Sequence, residues 1–235
     1  YKEAQEIANT WVHDSSAIPF SGLKKIIPES IEKVPNGKKV LHIVSSPMEG
    51  DSASRTVTNR FLEEYKSKVE GAEVTTLDLT TNQLSCFNAF SVQAKFASFL
   101  NHEVRGKAKE EWDYTLELIR EFKRYDTYVF SVPLWNWGIP HHLKLYLDHI
   151  MQPFETFDPQ SYSGILHNKK AIVISSAGVP LLGSEKDFSS PYLSTVLNHM
   201  GIKDVNHIFI NGTSEETTKR ELIEESTKSA LELLA

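Results

Sequence analysis

A chain of 235 residues is long enough for one full-sized domain with a real core, or for one domain with an appendage. Hydrophobic residues make up 40% and charged residues 24%, and a net charge of −6 with an isoelectric point near 5.9 argues against nucleic-acid binding. The single cysteine, Cys86, excludes an internal disulfide and fits a reducing, cytoplasmic compartment, and no run approaches the roughly 18 apolar residues of a membrane span.

The chain starts at Tyr1 rather than Met, so targeting stays open. Residues 1 to 38 read as an N-terminal extension. Lys2 to Val12 has the composition of a short helix, and Pro19, Pro28, Pro35 and Gly37 break up the rest of the extension. Ile18, Phe20, Ile26 and Ile31 make this arm apolar enough to pack on the body or on a dimer partner. The main domain, residues 39 to 235, opens with the strand-like run Val40-Leu41-His42-Ile43-Val44. Ser45 to Ser54 then form a hydroxyl-rich turn segment. After Arg55 the pattern becomes helical, with Val57, Phe61, Leu62, Tyr65 and Val69 on one side.

A second strand follows from Glu73 to Leu79, a loop from Asn82 to Phe90, and two helices, Phe90 to Val104 and Glu110 to Arg124, separated near Gly106. Thr127 to Phe130 is the third strand. Ser131 to Pro140 leads into a helix from His141 to Met151, with Leu143, Tyr146, Leu147 and Ile150 on one face. Gln152 to Asn168 is an aromatic-rich loop carrying Phe154, Phe157 and Tyr162. Lys170 to Ser176 is the fourth strand and ends in Ala177-Gly178-Val179-Pro180. Pro191 to Met200 is a helix with proline in its first turn, Val205 to Asn211 the fifth strand, and Glu215 to Leu234 the closing helix.

Strands that alternate with helices and are apolar at their centres predict an α/β fold with a parallel sheet covered on both faces. Five of them suit a doubly wound sheet of flavodoxin-like order 2-1-3-4-5, with ligands beyond the strands' carboxyl ends. Three loops would meet there. Ser46, Ser52 and Ser54, with the N–H groups that open the next helix, suit a phosphate, although Ser52 or Ser54 would equally cap that helix. Trp135, Asn136 and Trp137 suit a flat heterocycle, or else form a core or interface pair. Ser176, Ala177 and Gly178 are small enough for a ring to approach the backbone.

V-L-x-I-x-S-S with S-x-S-R, P-L-W-N-W-G-I-P-x-x-L-K-x-Y-x-D, K-K-A-I-V-I-S-S-A-G and P-Y-L-S-T-x-L-x-x-x-G-I together resemble the FMN-dependent NADH azoreductases, flavodoxin-fold NAD(P)H:quinone oxidoreductases. The resemblance runs from about Lys38 to the C-terminus. It implies that Ser46, Ser52, Ala53 and Ser54 hold the FMN phosphate and ribityl chain. It implies that Pro133, Leu134, Trp135, Asn136 and Trp137 flank the isoalloxazine, and that Ser176, Ala177 and Gly178 border its pyrimidine end. Phe154 and Phe157 resemble the aromatic segment that shapes the substrate slot, and His199 stands where an aromatic near the substrate is usual. Ala53 replaces a glutamine, and Ala177 and Val179 replace an arginine and a glycine. The chemistry implied is two-electron, ping-pong transfer from NADH or NADPH through FMN to a quinone or azo acceptor, in a homodimer, with no catalytic nucleophile and no metal.

The alternative is a flavodoxin-like FMN-binding electron carrier or sensor that is not an enzyme, although the T-x-T-G-x-T phosphate loop of short flavodoxins is absent. His141 and His142 are adjacent and expected to face different sides, and the remaining histidines show no metal-ligand spacing. Cys86 has no partner and reads as buried or incidental.

Overall fold

A computed structural model describes residues 35–48, 50–100 and 102–234 of the chain. The reading of the N-terminal arm falls almost wholly outside them. Five strands, β1 (Lys39–Val44), β2 (Glu73–Asp78), β3 (Thr127–Pro133), β4 (Lys170–Ala177) and β5 (Asp204–Asn211), pair in parallel in the order β2-β1-β3-β4-β5. This is the order expected from the alternating pattern. Six described helices flank the sheet: α1 (Ala53–Lys68), α2 (Ala89–Phe99), α3 (Gly106–Lys123), α4 (His141–Ile150), α5 (Ser190–Met200) and α6 (Glu216–Glu232).

Side chains alternate across a strand, so each strand feeds two cores. Val40, Val129, Ile172, Ile174, Ile208 and Ile210 pack on one face against Val57, Phe61 and Tyr65 of α1 and Ile223 and Ala230 of α6. Leu41, Ile43, Tyr128, Phe130, Val132 and Val173 pack on the other against Ile119 and Phe122 of α3, Leu143 and Tyr146 of α4, and Leu193 and Leu197 of α5. Burial on both faces is why β3 and β4 are apolar nearly throughout.

The element boundaries shift where local chemistry overrides periodicity. β3 continues past Phe130 because Ser131, Val132 and Pro133 keep pairing with Ile174, Ser175 and Ser176. α2 begins at Ala89 because Asn88 caps it, its side chain accepting from Phe90 N at 2.8 Å and Ser91 N at 3.2 Å while Ser91 Oγ accepts from Asn88 N at 3.2 Å. Cys86, in the loop before that cap, is exposed rather than buried. The first described residues cross the edge where the strands start. Gly37 N donates to Thr127 Oγ1, the Tyr65 hydroxyl donates to Gly37 O at 2.7 Å, and Lys170 Nζ donates to Asn36 Oδ1.

Phe61 is fully buried at the centre of the α1 face, and its ring meets Tyr65 edge-on at 5.8 Å. Phe61→Ala is expected to lower unfolding free energy by about 3–5 kcal/mol in urea titrations. Phe90→Ala, at an exposed site, should stay within about 0.5 kcal/mol. Equal losses at both sites would contradict this placement of the core.

Candidate functional site

Strand order reverses between β1 and β3, so the loops that leave their carboxyl ends turn to opposite faces and open a crevice. Backbone bonds tie the three expected loops to one another across the strand ends. Ser45 donates its N–H (3.2 Å) and its hydroxyl (2.9 Å) to Ser131 O. Leu134 N donates to Ser176 O at 2.7 Å.

The first loop ends in the α1 cap. Ser52 Oγ accepts from Arg55 N at 3.4 Å and lies 3.3 Å from Ser54 Oγ, and helix geometry leaves the N–H groups of Ala53 and Ser54 without intrahelical acceptors. Ser46 accepts from Met48 N. A cap and an anion site therefore coexist in the same short segment. The cations nearby are already engaged. Arg55 bonds Asp78 at 2.8 Å, and Lys219 of α6 pairs with Asp51 of the loop.

Beneath this loop runs a buried polar chain. His42 Nε2 lies 2.8 Å from Ser131 Oγ, the Ser131 hydroxyl donates to Thr58 Oγ1 at 2.9 Å, and the Thr58 hydroxyl donates to Ser54 O at 2.8 Å. Burial, helped by the nearby Arg55 cation and opposed by Asp78, pushes the His42 pKa down to about 4. The ring is neutral at pH 7.

In the second loop, Trp135 and Gly138 exchange both backbone bonds at 3.0 Å around a two-residue turn whose central residues, Asn136 and Trp137, have φ of 48° and 65°. Asparagine tolerates that region, whereas tryptophan is strained there by about 1–2 kcal/mol. The turn leaves Trp135 and Trp137 about half exposed. In the third, β4 extends to Ala177, so Ser176 and Ala177 are buried strand residues and only Gly178 onward is open. Asp187 then organises the approach to α5, its carboxylate accepting from Gly183 N at 2.9 Å and from Ser189 N and Ser190 N at 3.0 Å. Phe188, between these bonds, projects outward.

A cleft of about 720 Å³ opens between these walls. Trp135, Asn136 and the Gly138–Pro140 backbone form one side, Phe188 and Tyr192 another, and Pro47 joins it to the first loop. His141, His142 and Lys144 line its base. The two imidazoles lie side by side, centroids 3.6 Å apart and planes tilted by 35°, rather than facing different sides. Burial and the neighbouring His141 hold the His142 pKa down, and Lys144 is engaged by both oxygens of Asp148 at 2.6 and 2.7 Å. The cleft is thus a mainly aromatic slot without a free cation among the residues that line it.

The expected substrate residues lie elsewhere in the chain. Phe157 is buried and packs against His199 with ring centroids 4.5 Å apart and planes tilted by 45°, and Phe154, at φ 64°, is exposed. α5 runs back from the strands' carboxyl ends, so His199 in its last turn lies at the edge where the strands start. Leu166 N donates to Met200 O, and a Cβ on Gly164 would fall 2.0 Å from Gly201 N, so this loop is fixed under that end of α5. Within one chain Phe154, Phe157 and His199 do not line the cleft. The residues that sequence reasoning missed are His42, Thr58 and Ser131 beneath the loop, and Asp187, Phe188 and Tyr192 beside the cleft. The available signal was polarity out of place: His42 and Ser131 each interrupt an apolar strand.

Comparisons with known proteins identify the family of this fold. A family model described as flavodoxin-like fold matches residues 38–234. An FMN-dependent NADH:quinone oxidoreductase of Ruegeria pomeroyi is 34% identical over 177 residues, covering 72% of this chain and 87% of that protein. One from Nitratidesulfovibrio vulgaris is 29% identical over 207 residues, covering 82% and 98%. Among solved structures, an FMN-dependent NADH-azoreductase from Bacillus anthracis in complex with FMN superimposes with a TM-score of 0.73 at 26% identity, covering 84% of this chain and all of that one.

The His42 pKa yields a stability signature. Between about pH 6.5 and pH 4 the unfolded chain binds more protons at this position than the folded one, so stability is complete above that window and falls as acid is added through it. The loss from His42 is expected to reach about 3 kcal/mol by pH 4. His149 and His207, also held down chiefly by burial, act in the same direction. Urea midpoints between pH 7 and pH 4 should therefore fall less steeply in His42→Gln than in the parent, and identical slopes would refute the assignment.

Proposed function

This chain belongs to the flavodoxin-like family of FMN-dependent NADH:quinone oxidoreductases, and from that premise we propose how its own residues divide the work. It is an FMN-dependent NAD(P)H oxidoreductase that reduces quinones or azo compounds. FMN combines an anionic phosphate, a polar ribityl chain and a flat ring system, and the strand-end surface offers a matching sequence of environments. The observation that carries the reading is their continuity: a serine-rich loop and helix start, joined through Pro47 to an aromatic slot.

Ser46, Ser52, Ala53 and Ser54 would hold the phosphate and ribityl chain through hydroxyls and orphan N–H groups. Leu134 to Trp137, headed by Pro133, would flank the isoalloxazine, with Gly178 and the end of β4 at its edge. FMN held there would supply two-electron redox chemistry between NADH and the acceptor. The chain supplies binding, orientation and exclusion of water, and no side chain is asked to act as nucleophile or obligatory base. Trp135, Phe188 and Tyr192 give the slot apolar walls that suit a nicotinamide and an aromatic acceptor in turn. One slot serving both implies ping-pong kinetics.

A homodimer accounts for the residues that one chain leaves remote. Phe154, exposed at φ 64°, would close the partner's cleft across a twofold axis, with the buried Phe157 and its neighbour His199 supporting that loop from behind. The N-terminal extension lies almost wholly before the family match, and its apolar residues would pack on the body or the partner. No described helix is long and apolar enough to cross a membrane, and the lone cysteine suits a cytoplasmic location.

Protein reconstituted with FMN should lose its flavin absorbance on anaerobic addition of NADH and regain it with benzoquinone. A flavin that binds but stays oxidised with both NADH and NADPH would leave a carrier or sensor. Initial rates should give parallel double-reciprocal lines, whereas converging lines would exclude ping-pong transfer. Light scattering should report twice the 26.6 kDa chain mass. Trp135→Ala should weaken FMN binding by about threefold to tenfold, the range expected for one aromatic contact.

A further inference from the structure

We propose that His42 is a positioning residue for the phosphate site, acting through Ser131 and Thr58 to fix the peptide that opens α1. The inference rests on reading Ser46 to Ser54 as the place where the FMN phosphate binds.

The proton directions in the chain follow from its last member. Ser54 O can only accept, so the Thr58 hydroxyl donates to it at 2.8 Å. The Thr58 oxygen is then the acceptor for Ser131, whose hydroxyl donates at 2.9 Å. Each hydroxyl carries one proton, so Ser131 has none left for His42 and must accept from its Nε2–H across 2.8 Å. The imidazole is therefore the Nε2–H tautomer, and all three bonds run toward the helix start. His42, Thr58 and Ser131 are essentially without solvent contact, so water cannot replace a missing member.

Ser131 also controls the other end of the loop. Its carbonyl accepts both the N–H and the hydroxyl of Ser45, where the loop leaves β1. The segment from Ser45 to Ser54 thus begins and ends on one residue of β3. The Ser54–Arg55 peptide is held on both sides, its carbonyl by Thr58 and its N–H by Ser52 Oγ. With that plane fixed, the N–H groups of Ala53 and Ser54 keep one direction, and a phosphate meets preset donors. The neighbours of His42 on the same strand face, Val40 and Val44, are apolar, and an apolar residue would fill this site without the cost of burying an imidazole. A donor is what the site gains from histidine.

The test compares FMN with riboflavin, which lacks the phosphate. Apoprotein of the parent, His42→Leu, His42→Gln and Thr58→Val is titrated with each flavin by fluorescence quenching. The parent should prefer FMN. His42→Leu and Thr58→Val should bind FMN about threefold to tenfold more weakly, the scale of one buried hydrogen bond, with riboflavin binding unchanged. Glutamine can place a donor near the Nε2 position, so His42→Gln should recover most of the preference. Equal losses for both flavins would make His42 a space-filling residue and overturn the proposal, as would unchanged FMN binding or a glutamine no better than leucine. If His42→Leu does not fold, the single-hydroxyl change Thr58→Val decides. A parent protein that binds both flavins equally would reject the phosphate-site reading itself, a result distinct from failure of the His42 role.

Discussion

The parallel pairing of β1 with β3 is the constraint on which the rest of the molecule depends. Val40 to Val44 lie in register with Thr127 to Ser131, and one further bond, Ser45 N to Ser131 O, extends the ladder past the end of β1. Parallel neighbours need crossovers on a face of the sheet, and the crossover after β1 covers the face opposite to that covered by α4. The two loops must therefore part at this point. A crevice is a consequence of the winding before any side chain is chosen.

What the side chains add is rigidity in a place where loops would otherwise be soft. Ser131 engages the first loop with its carbonyl and its hydroxyl, and Asp187 gathers three N–H groups of the β4–α5 connection on one carboxylate. Burial alone would raise the Asp187 pKa, but those N–H bonds outweigh it and hold the carboxyl below its ordinary range, so the clamp stays charged. Against this support stands the strain of Trp137 at φ 65°, about 1–2 kcal/mol for a bulky residue in the left-handed region. The two exchanged backbone bonds between Trp135 and Gly138 and the tie from Leu134 to β4 are of the same order together. Trp135 is held toward the cleft, and Trp137 out into solvent, by a turn that an Asn-Gly pair would form without strain.

Periodicity carried the fold because both faces of the sheet are covered, so that strands such as Ala171-Ile172-Val173-Ile174 read as unbroken apolar runs. It also located the three loops, since each follows a strand end. It was less informative about features that depend on distant partners. Nothing near Ser131 announces that its hydroxyl will meet Thr58 of a helix 73 residues earlier, and Phe188 joins the cleft only because Asp187 folds its loop back. The fourth strand reads as ending at Ser176, yet pairing of Ala177 with Asn211 carries β4 one residue further. His199 and Phe157 find each other at the far edge because a helix that leaves one end of a sheet must finish at the other.

Charge explains why orientation matters so much at the helix start. A loop that bound phosphate through free lysines or arginines would tolerate small errors in geometry, because Coulomb attraction falls off slowly with distance. Here Arg55 is committed to Asp78 and Lys219 to Asp51. The protein as a whole carries a net charge of −6, which gives no general attraction for an anion. Hydroxyls, N–H groups and the end of the α1 dipole remain, and a helix terminus contributes on the order of 1 kcal/mol, fading within one turn. Hydrogen bonds of this kind weaken steeply once the angle falls toward about 120°. A site assembled from neutral donors must hold them in place before the anion arrives, and here the element that does so is a buried polar chain reaching back from α1 into β3 and β1.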